Sequence, residues 1–249
     1  MNQQQNKFLK ENESFDDLEF RGLKIIQRKG GYKFSTDSVL LANFGRAKPN
    51  DVYMDLCSGS AVVAILFSCK NNIKKSYAVE LQPELADMAR RSIEFNGLED
   101  KIVVLNENLK NIYKIVGCES VDVITINPPY NKNVKSSNNS EIAIATHEIE
   151  INLAEIAQNI SKLLKYGGKV FMVYRADRLA EVIYEFKKNK LEPKVLRVVY
   201  PKADKEPNLV LIEAKKGASE GIKILKPLIL NNDDGSETDE LREIYSRKS

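Results

Sequence analysis

The chain has 249 residues, 38 basic against 35 acidic side chains, and 43% apolar residues. That length suits one doubly wound domain or a domain and a half with a sizeable core, and no apolar run approaches membrane-spanning length. Three scattered cysteines without a C-x-x-C pair and a single histidine argue against a disulfide framework or a zinc site, and the net charge of +3 permits a nucleic-acid partner without requiring one.

Residues 1–19 are polar and acidic, which predicts a frayed, flexible extension with no secretory signal and suits a reducing, cytoplasmic setting. Leu23–Gln27 and Tyr32–Phe34 flank Arg28-Lys29-Gly30-Gly31, the pattern of a hairpin with a glycine turn. Ser35 or Thr36 is a candidate N-cap for a helix through Phe44, ended by Gly45 and Pro49. From residue 51 the pattern alternates. Strands are predicted at 52–56, 76–80, 102–105, 121–127 and 169–174, and helices at 62–68, 83–96, 142–164 and 178–188. Two late strands follow at 194–199 and 209–214. Such alternation means an α/β fold, a mainly parallel sheet with helices on both faces. Residues 20–230 form the domain, and residues 231–249 a polar tail with a short helix.

In an open α/β sheet, ligands bind at the carboxyl ends of the strands. Three such ends carry chemistry here. The first strand runs into Asp55-Leu56-Cys57-Ser58-Gly59-Ser60-Ala61, a small-residue turn opening a helix, where backbone can approach a ligand. The second ends in Glu80, placed to accept the two hydroxyls of a ribose. With Gly59 as the lone glycine, and Cys57 and Ala61 where glycines are usual, the turn is poor for a pyrophosphate. It suits better a ligand with a ribose and an adenine but no phosphate. The third strand leads to Asn106-Glu107-Asn108, in which Asn108 or Glu107 can bond adenine's exocyclic amine, or simply cap a turn.

The strand ending at residue 126 runs into Asn127-Pro128-Pro129-Tyr130. Alone, that tetrapeptide is also an ordinary turn. As a site it is a rigid ledge offering an amide and an aromatic face to a planar group bearing an amine. The following 131–141 loop, with Lys132, reads as a solvated loop or as a flap over RNA. His147 reads as a structural histidine or as a contact to RNA phosphate.

These motifs together resemble the class I S-adenosylmethionine-dependent methyltransferases that modify exocyclic amines. Residues 27–42, Gln-x-x-x-Gly-Tyr-x-Phe-Ser-x-Asp-Ser-Val-Leu-Leu-Ala, resemble the bacterial tRNA1(Val) adenine-N6 methyltransferases. The resemblance spans roughly residues 20–230. It implies a Rossmann-like, seven-stranded sheet with an antiparallel last strand, S-adenosylmethionine as cofactor and tRNA as partner, with no metal and no membrane, in a monomer or weak dimer. It places Asp37, Asp55, Ser58, Gly59, Glu80, Leu81, Asn108 and Asn127 at the cofactor. Asn127, Pro128, Pro129 and Tyr130 hold the target base. Lys132, His147, Arg28 and Lys29 meet the RNA, the last two within a basic set that includes Lys7, Lys10, Arg21, Lys24 and Lys33. Lys202, Lys205, Lys215 and Lys216 form a second candidate patch. Cys57, Ala61 and Asn108 depart from the family pattern. The rival readings are methylation of an rRNA guanine or a release-factor glutamine, and a fold that binds RNA without catalysis.

Overall fold

The computed structural model describes residues 7–30, 35–129 and 152–245. A parallel run of strands occupies its centre: β3 (Val52–Leu56), β4 (Lys75–Glu80), β5 (Ile102–Asn106), β6 (Val121–Ile126) and β7 (Leu164–Arg175). β8 (Leu191–Tyr200) and β9 (Leu209–Lys216) complete it, with β9 antiparallel to both β7 and β8. The order across the sheet is β5-β4-β3-β6-β7-β9-β8, as expected of seven strands with an antiparallel last one. Two further two-residue strands, β10 (Lys223–Ile224) and β11 (Leu228–Ile229), pair with β8 and bring the sheet to nine.

Residue alternation divides the core into two. Tyr53, Val123, Phe171 and Val173 face one side, packed against α1 (Thr36–Phe44) and α2 (Val62–Asn71). Met54, Leu56, Ile124, Ile126 and Met172 face the other side. There they meet α4 (Ile112–Val116), α5 (Leu153–Leu163) and α6 (Leu179–Lys188). The helix α3 (Pro83–Phe95) starts on Pro83 with Glu84 in its first turn, and Gly97 at φ +64° follows its end. The chain closes on α7 (Asp239–Ile244), whose N-cap Thr238 accepts from the Leu241 amide.

The amino-terminal segment departs from expectation. Residues 13–17, expected to fray, form β1 (Glu13–Asp17), which pairs antiparallel with β2 (Lys24–Arg28). The expected partner strand at 32–34 lies outside the described residues, and residues 18–23 form the turn between β1 and β2. Tertiary contacts explain the difference. Arg91 of α3 donates to both Glu13 carboxylate oxygens, at 2.6 and 2.8 Å, and to Asp87 at 2.7 Å. Phe15 packs against Phe95 with ring centres 4.3 Å apart and the rings tilted by 37°, and Leu18 is buried. Burial alone raises the Glu13 carboxyl, but the hydrogen bonds from Arg91 and the Lys10 amide outweigh it and hold the group below its ordinary value. Glu13 and Arg91 are 8% and 15% exposed, so removing one strands the other. Arg91→Ala is expected to cost about 3 kcal/mol in urea unfolding, with early loss of amide protection confined to 13–28. A cost below about 1 kcal/mol, the range of an exposed pair, would refute this role.

The predicted helix 142–164 is described only as α5, from Leu153, because residues 130–151 lie outside the described set. Asn152 caps α5 by accepting from the Glu155 amide at 2.8 Å. Strand β7 starts at Leu164 rather than 169. Val121 pairs with Leu164 and Val123 with Lys169, so the register shifts around Gly167 and Gly168. Gly167 sits at φ +80°, and a Cβ on Gly168 would meet the Asp122 carbonyl at 3.0 Å. No helix among the described residues is long and apolar enough to cross a membrane.

Candidate functional site

The carboxyl ends of β3, β4 and β6 lie side by side because those strands are adjacent and parallel. The turn after β3 adopts left-handed backbone at Cys57 (φ +58°), Gly59 (+56°) and Ala61 (+71°). Two side chains thus occupy conformations that glycine adopts freely, at roughly 1–2 kcal/mol each. Nothing lies within 4 Å of where a Gly59 Cβ would stand, so the turn is open above that residue.

Two carboxylates close the turn from beneath. Glu80 is 6% exposed. Its Oε2 accepts from the Gly59 amide at 2.8 Å and its Oε1 from the Gln82 amide at 2.9 Å. Burial raises its pKa despite those amides. Asp55 is fully buried and accepts from Ser58 Oγ and Thr125 Oγ1, each at 2.6 Å, and from the Ala64 amide of α2. Thr125 in turn meets the Tyr53 hydroxyl at 2.5 Å. Desolvation drives the Asp55 carboxyl up to about 7, against the pull of these hydrogen bonds and with the Glu80 charge adding to it. The Cys57 thiol is likewise pushed up, by burial first and then by Glu80 and Asp55, so it is no nucleophile.

This arrangement selects its ligand. The amides of Ser58, Gly59, Ala61 and Ala64 are already engaged, by Val79 O, Glu80, Ser58 O and Asp55. A phosphate would meet two carboxylates instead of open N–H groups. A ligand with ribose hydroxyls and positive charge fits, since each Glu80 oxygen keeps a second lone pair.

At the next strand end Asn106, rather than Asn108, ties the site together. Its Nδ2 donates to the carbonyls of Glu80 and Leu81, each at 2.9 Å, fixing the turn after β4. Asn108 accepts from the Lys110 amide at 3.0 Å, so it caps its own turn. Its neighbour Glu107 accepts from the Asn108 amide at 2.6 Å.

Beyond β6, Asn127 is half-buried, Pro128 buried and Pro129 exposed. Asn127 Nδ2 donates to Ser38 Oγ, at 3.3 Å, in the first turn of α1. That contact ties the carboxamide to α1 through its nitrogen. Asp37 occupies the same first turn. No sequence signal marked Thr125, and Ser38 and Asn106 stood only inside longer motifs with no role of their own, because each acts through a neighbour in space.

Of the expected RNA contacts, Tyr130, Lys132 and His147 lie outside the described residues. Arg28 pairs with Glu84 on the surface. Lys29 is exposed. Of the wider basic set, Lys33 lies outside the described residues, and the described members are spread over the surface. Lys10 pairs with Asp87. Lys24 bonds through its backbone to Asn96 at the far end of α3, so Arg21 and Lys24 belong to the opposite edge of the sheet. In the second patch Lys205 pairs with Asp204 and Lys216 with Glu119, which neutralises much of it.

No family model matches the chain. It is similar, at 23% identity over 204 residues covering 80% of each chain, to the tRNA1(Val) (adenine(37)-N6)-methyltransferase of Porphyromonas gingivalis. Among solved structures, a predicted O-methyltransferase from Agrobacterium tumefaciens aligns with a TM-score of 0.69 at 18% identity, over 86% of this chain and 98% of that one. The structure of M. jannaschii TYW2 in complex with AdoMet aligns at 0.58 and 15% identity, over 83% and 87%. The fold is that of the class I methyltransferases.

Proposed function

We propose that the protein transfers a methyl group from S-adenosylmethionine to the exocyclic N6 amine of an adenine in tRNA, with a valine tRNA as the substrate its curated relatives point to. The observation that carries this reading is the placement of Asn127-Pro128 at the carboxyl end of β6, beside a β3 turn closed by two carboxylates. When bound, the cofactor supplies an electrophilic methyl group on a sulfonium centre.

The chain's own residues do the rest. Glu80 holds ribose hydroxyls, and the open space above Gly59 admits the methionine end. Asp55 braces that turn and contributes negative potential beneath a cationic ligand. Leu81, Asn108 and Asp37 border the adenine and the mouth of the site. An aromatic amine is a poor nucleophile because its lone pair is delocalised into the ring. The Asn127 carboxamide oxygen and the Pro128 carbonyl accept its two hydrogens, which favours a tetrahedral nitrogen with its lone pair aimed outward. No strong base is required, since the nitrogen becomes acidic once alkylated. Catalysis is then positioning and electrostatics. Tyr130, next in the chain, stacks on a base withdrawn from its neighbours.

The test is methyl transfer from labelled S-adenosylmethionine to bulk tRNA from a strain lacking the gene, followed by nucleoside analysis. N6-methyladenosine in a valine tRNA is the expected product. Label in rRNA or in a release factor, with none in tRNA, would overturn the substrate. Ser38 offers a finer test, as it orients the Asn127 amide. Ser38→Ala is expected to lower kcat by about tenfold, the worth of one hydrogen bond, with cofactor affinity unchanged and Ser38→Thr restoring most of the rate. Equal kcat in Ser38→Ala would remove Ser38 from the mechanism.

A further inference from the structure

At the edge of the sheet opposite the site, where β3, β4 and β5 begin, lies a cavity of about 130 Å³. Arg21 and Lys101 line it, with Ser68, Cys69 and Asn72, and no carboxylate does. Arg46 and Lys70 extend the same basic cluster. Lys70 Nζ is 4.5 Å from the centre of the Phe20 ring, and the Arg21 guanidinium is 4.9 Å from it. Lys70 also donates to Asn43 Oδ1 at 2.7 Å, and Arg46 to the carbonyls of Asn43 and Gly45. Among the described residues, none of these four cations pairs with a carboxylate. Lys10, Arg28, Arg91, Lys110, Lys165 and Arg178 all do. Glu99 and Asp100 precede Lys101 in sequence, yet neither bonds it. The Lys70 ammonium is held below its ordinary pKa by burial first, and then by repulsion from Arg46 and Arg21. The charges that act on the Cys69 thiol are Lys101 and Arg21, both positive.

Four cations brought together without counter-charges cost energy that a stabilising role would not incur. An external anion relieves it. We propose that this edge is a phosphate-binding surface for the RNA substrate, with one phosphate seated at the cavity between Arg21 and Lys101. The assignment rests on the reading of the protein as an RNA-modifying enzyme. A strand of five residues spans about 17 Å, so an RNA with one base at Asn127 reaches this edge through its flanking backbone. Contacts of this kind fix register and carry no sequence information. They account for substrate grip at a distance from a site where Lys10 and Arg28 are already paired with Asp87 and Glu84.

The experiment uses a full-length tRNA transcript, fluorescence anisotropy across a sodium chloride series, and the variants Arg21→Glu/Lys101→Glu and Arg21→Gln/Lys101→Gln. All four changes are at exposed positions, and the Gln pair keeps a result readable if charge reversal disturbs folding. The double Glu variant is expected to weaken binding at least tenfold. It should also lower the slope of log K against log salt by about 1–2, as one to two phosphate contacts are lost. Cofactor affinity, measured by calorimetry, should stay the same. Unchanged Kd and salt slope in both variants would overturn the surface. So would a wild type that binds anionic vesicles through these residues and does not bind RNA. Methyl transfer is assayed in parallel. Wild type that binds RNA through this edge but methylates none would sink the activity and leave the surface standing. Wild type that methylates tRNA, with variants binding it equally well, would do the reverse.

Discussion

Asn127→Ala is expected to lower kcat by about 10²–10³ while leaving the affinity for S-adenosylmethionine within about twofold. The size follows from removing a preorganised acceptor aimed at the charge that develops on the amine. Selectivity follows from geometry: the groups proposed to hold the cofactor belong to the ends of β3 and β4, whereas Asn127 follows β6 and bonds Ser38 of α1. Truncation leaves the Asp55, Thr125 and Tyr53 contacts intact, so stability should hardly change. Single-turnover methyl transfer, with binding followed separately by calorimetry, separates the two effects. A variant with kcat within threefold of the wild type would show that the carboxamide does not act on the amine. A variant that lost cofactor binding as well would assign Asn127 to the cofactor instead.

The sheet was legible in the sequence because its central strands, β3 and β6, are buried on both faces and read as apolar runs, in alternation with helices as an α/β fold requires. The candidate site was legible for the same reason: ligands of open α/β sheets bind at the carboxyl ends of strands, so finding the strands brought Asp55, Glu80 and Asn127 forward as candidates. What escaped notice depends on contacts distant in sequence. Glu13-Ser14-Phe15-Asp16-Asp17 has no strand signature, and it becomes a strand because Arg91, 78 residues away, neutralises Glu13 while Phe95 covers Phe15. The two-residue strands β10 and β11 are too short to carry a period of two.

Cys57 and Ala61 illustrate a different limit. Their side chains departed from the expected glycines, yet both residues take glycine's left-handed backbone. The surrounding hydrogen bonds, Ser58 to Val79 and to Asp55 and Gly59 to Glu80, over-determine the turn and absorb the strain. Residue identity reported the cost of the conformation, and only the fold reports that the cost is met.

Asp55→Asn is expected to make the stability curves of variant and wild type cross as pH is varied. The Asp55 carboxyl has an ordinary value of 3.8 and lies at about 7 in the folded protein. Below pH 4 it is protonated in both folded and unfolded chains and costs nothing. Between pH 4 and 7 the folded state holds a proton that the unfolded state has released, so stability falls as pH rises. Above pH 7 the whole of the shift, about 4 kcal/mol, has been lost. An amide at this position never ionises and removes that dependence. It cannot, however, accept from Ser58, Thr125 and the Ala64 amide together, and one mismatched donor costs about 1–3 kcal/mol. The variant should therefore be less stable than wild type at pH 4 and more stable at pH 8, by about 1–3 kcal/mol in each direction. Urea unfolding at half-unit pH intervals measures both limbs, and parallel curves would show that Asp55 ionises normally. The same variant should bind S-adenosylmethionine more weakly at pH 8, through loss of negative charge beneath the turn and of the Ser58 brace. In the proposed function the turn that this carboxylate shapes is the one that receives S-adenosylmethionine, a role that offsets its destabilising effect at neutral pH.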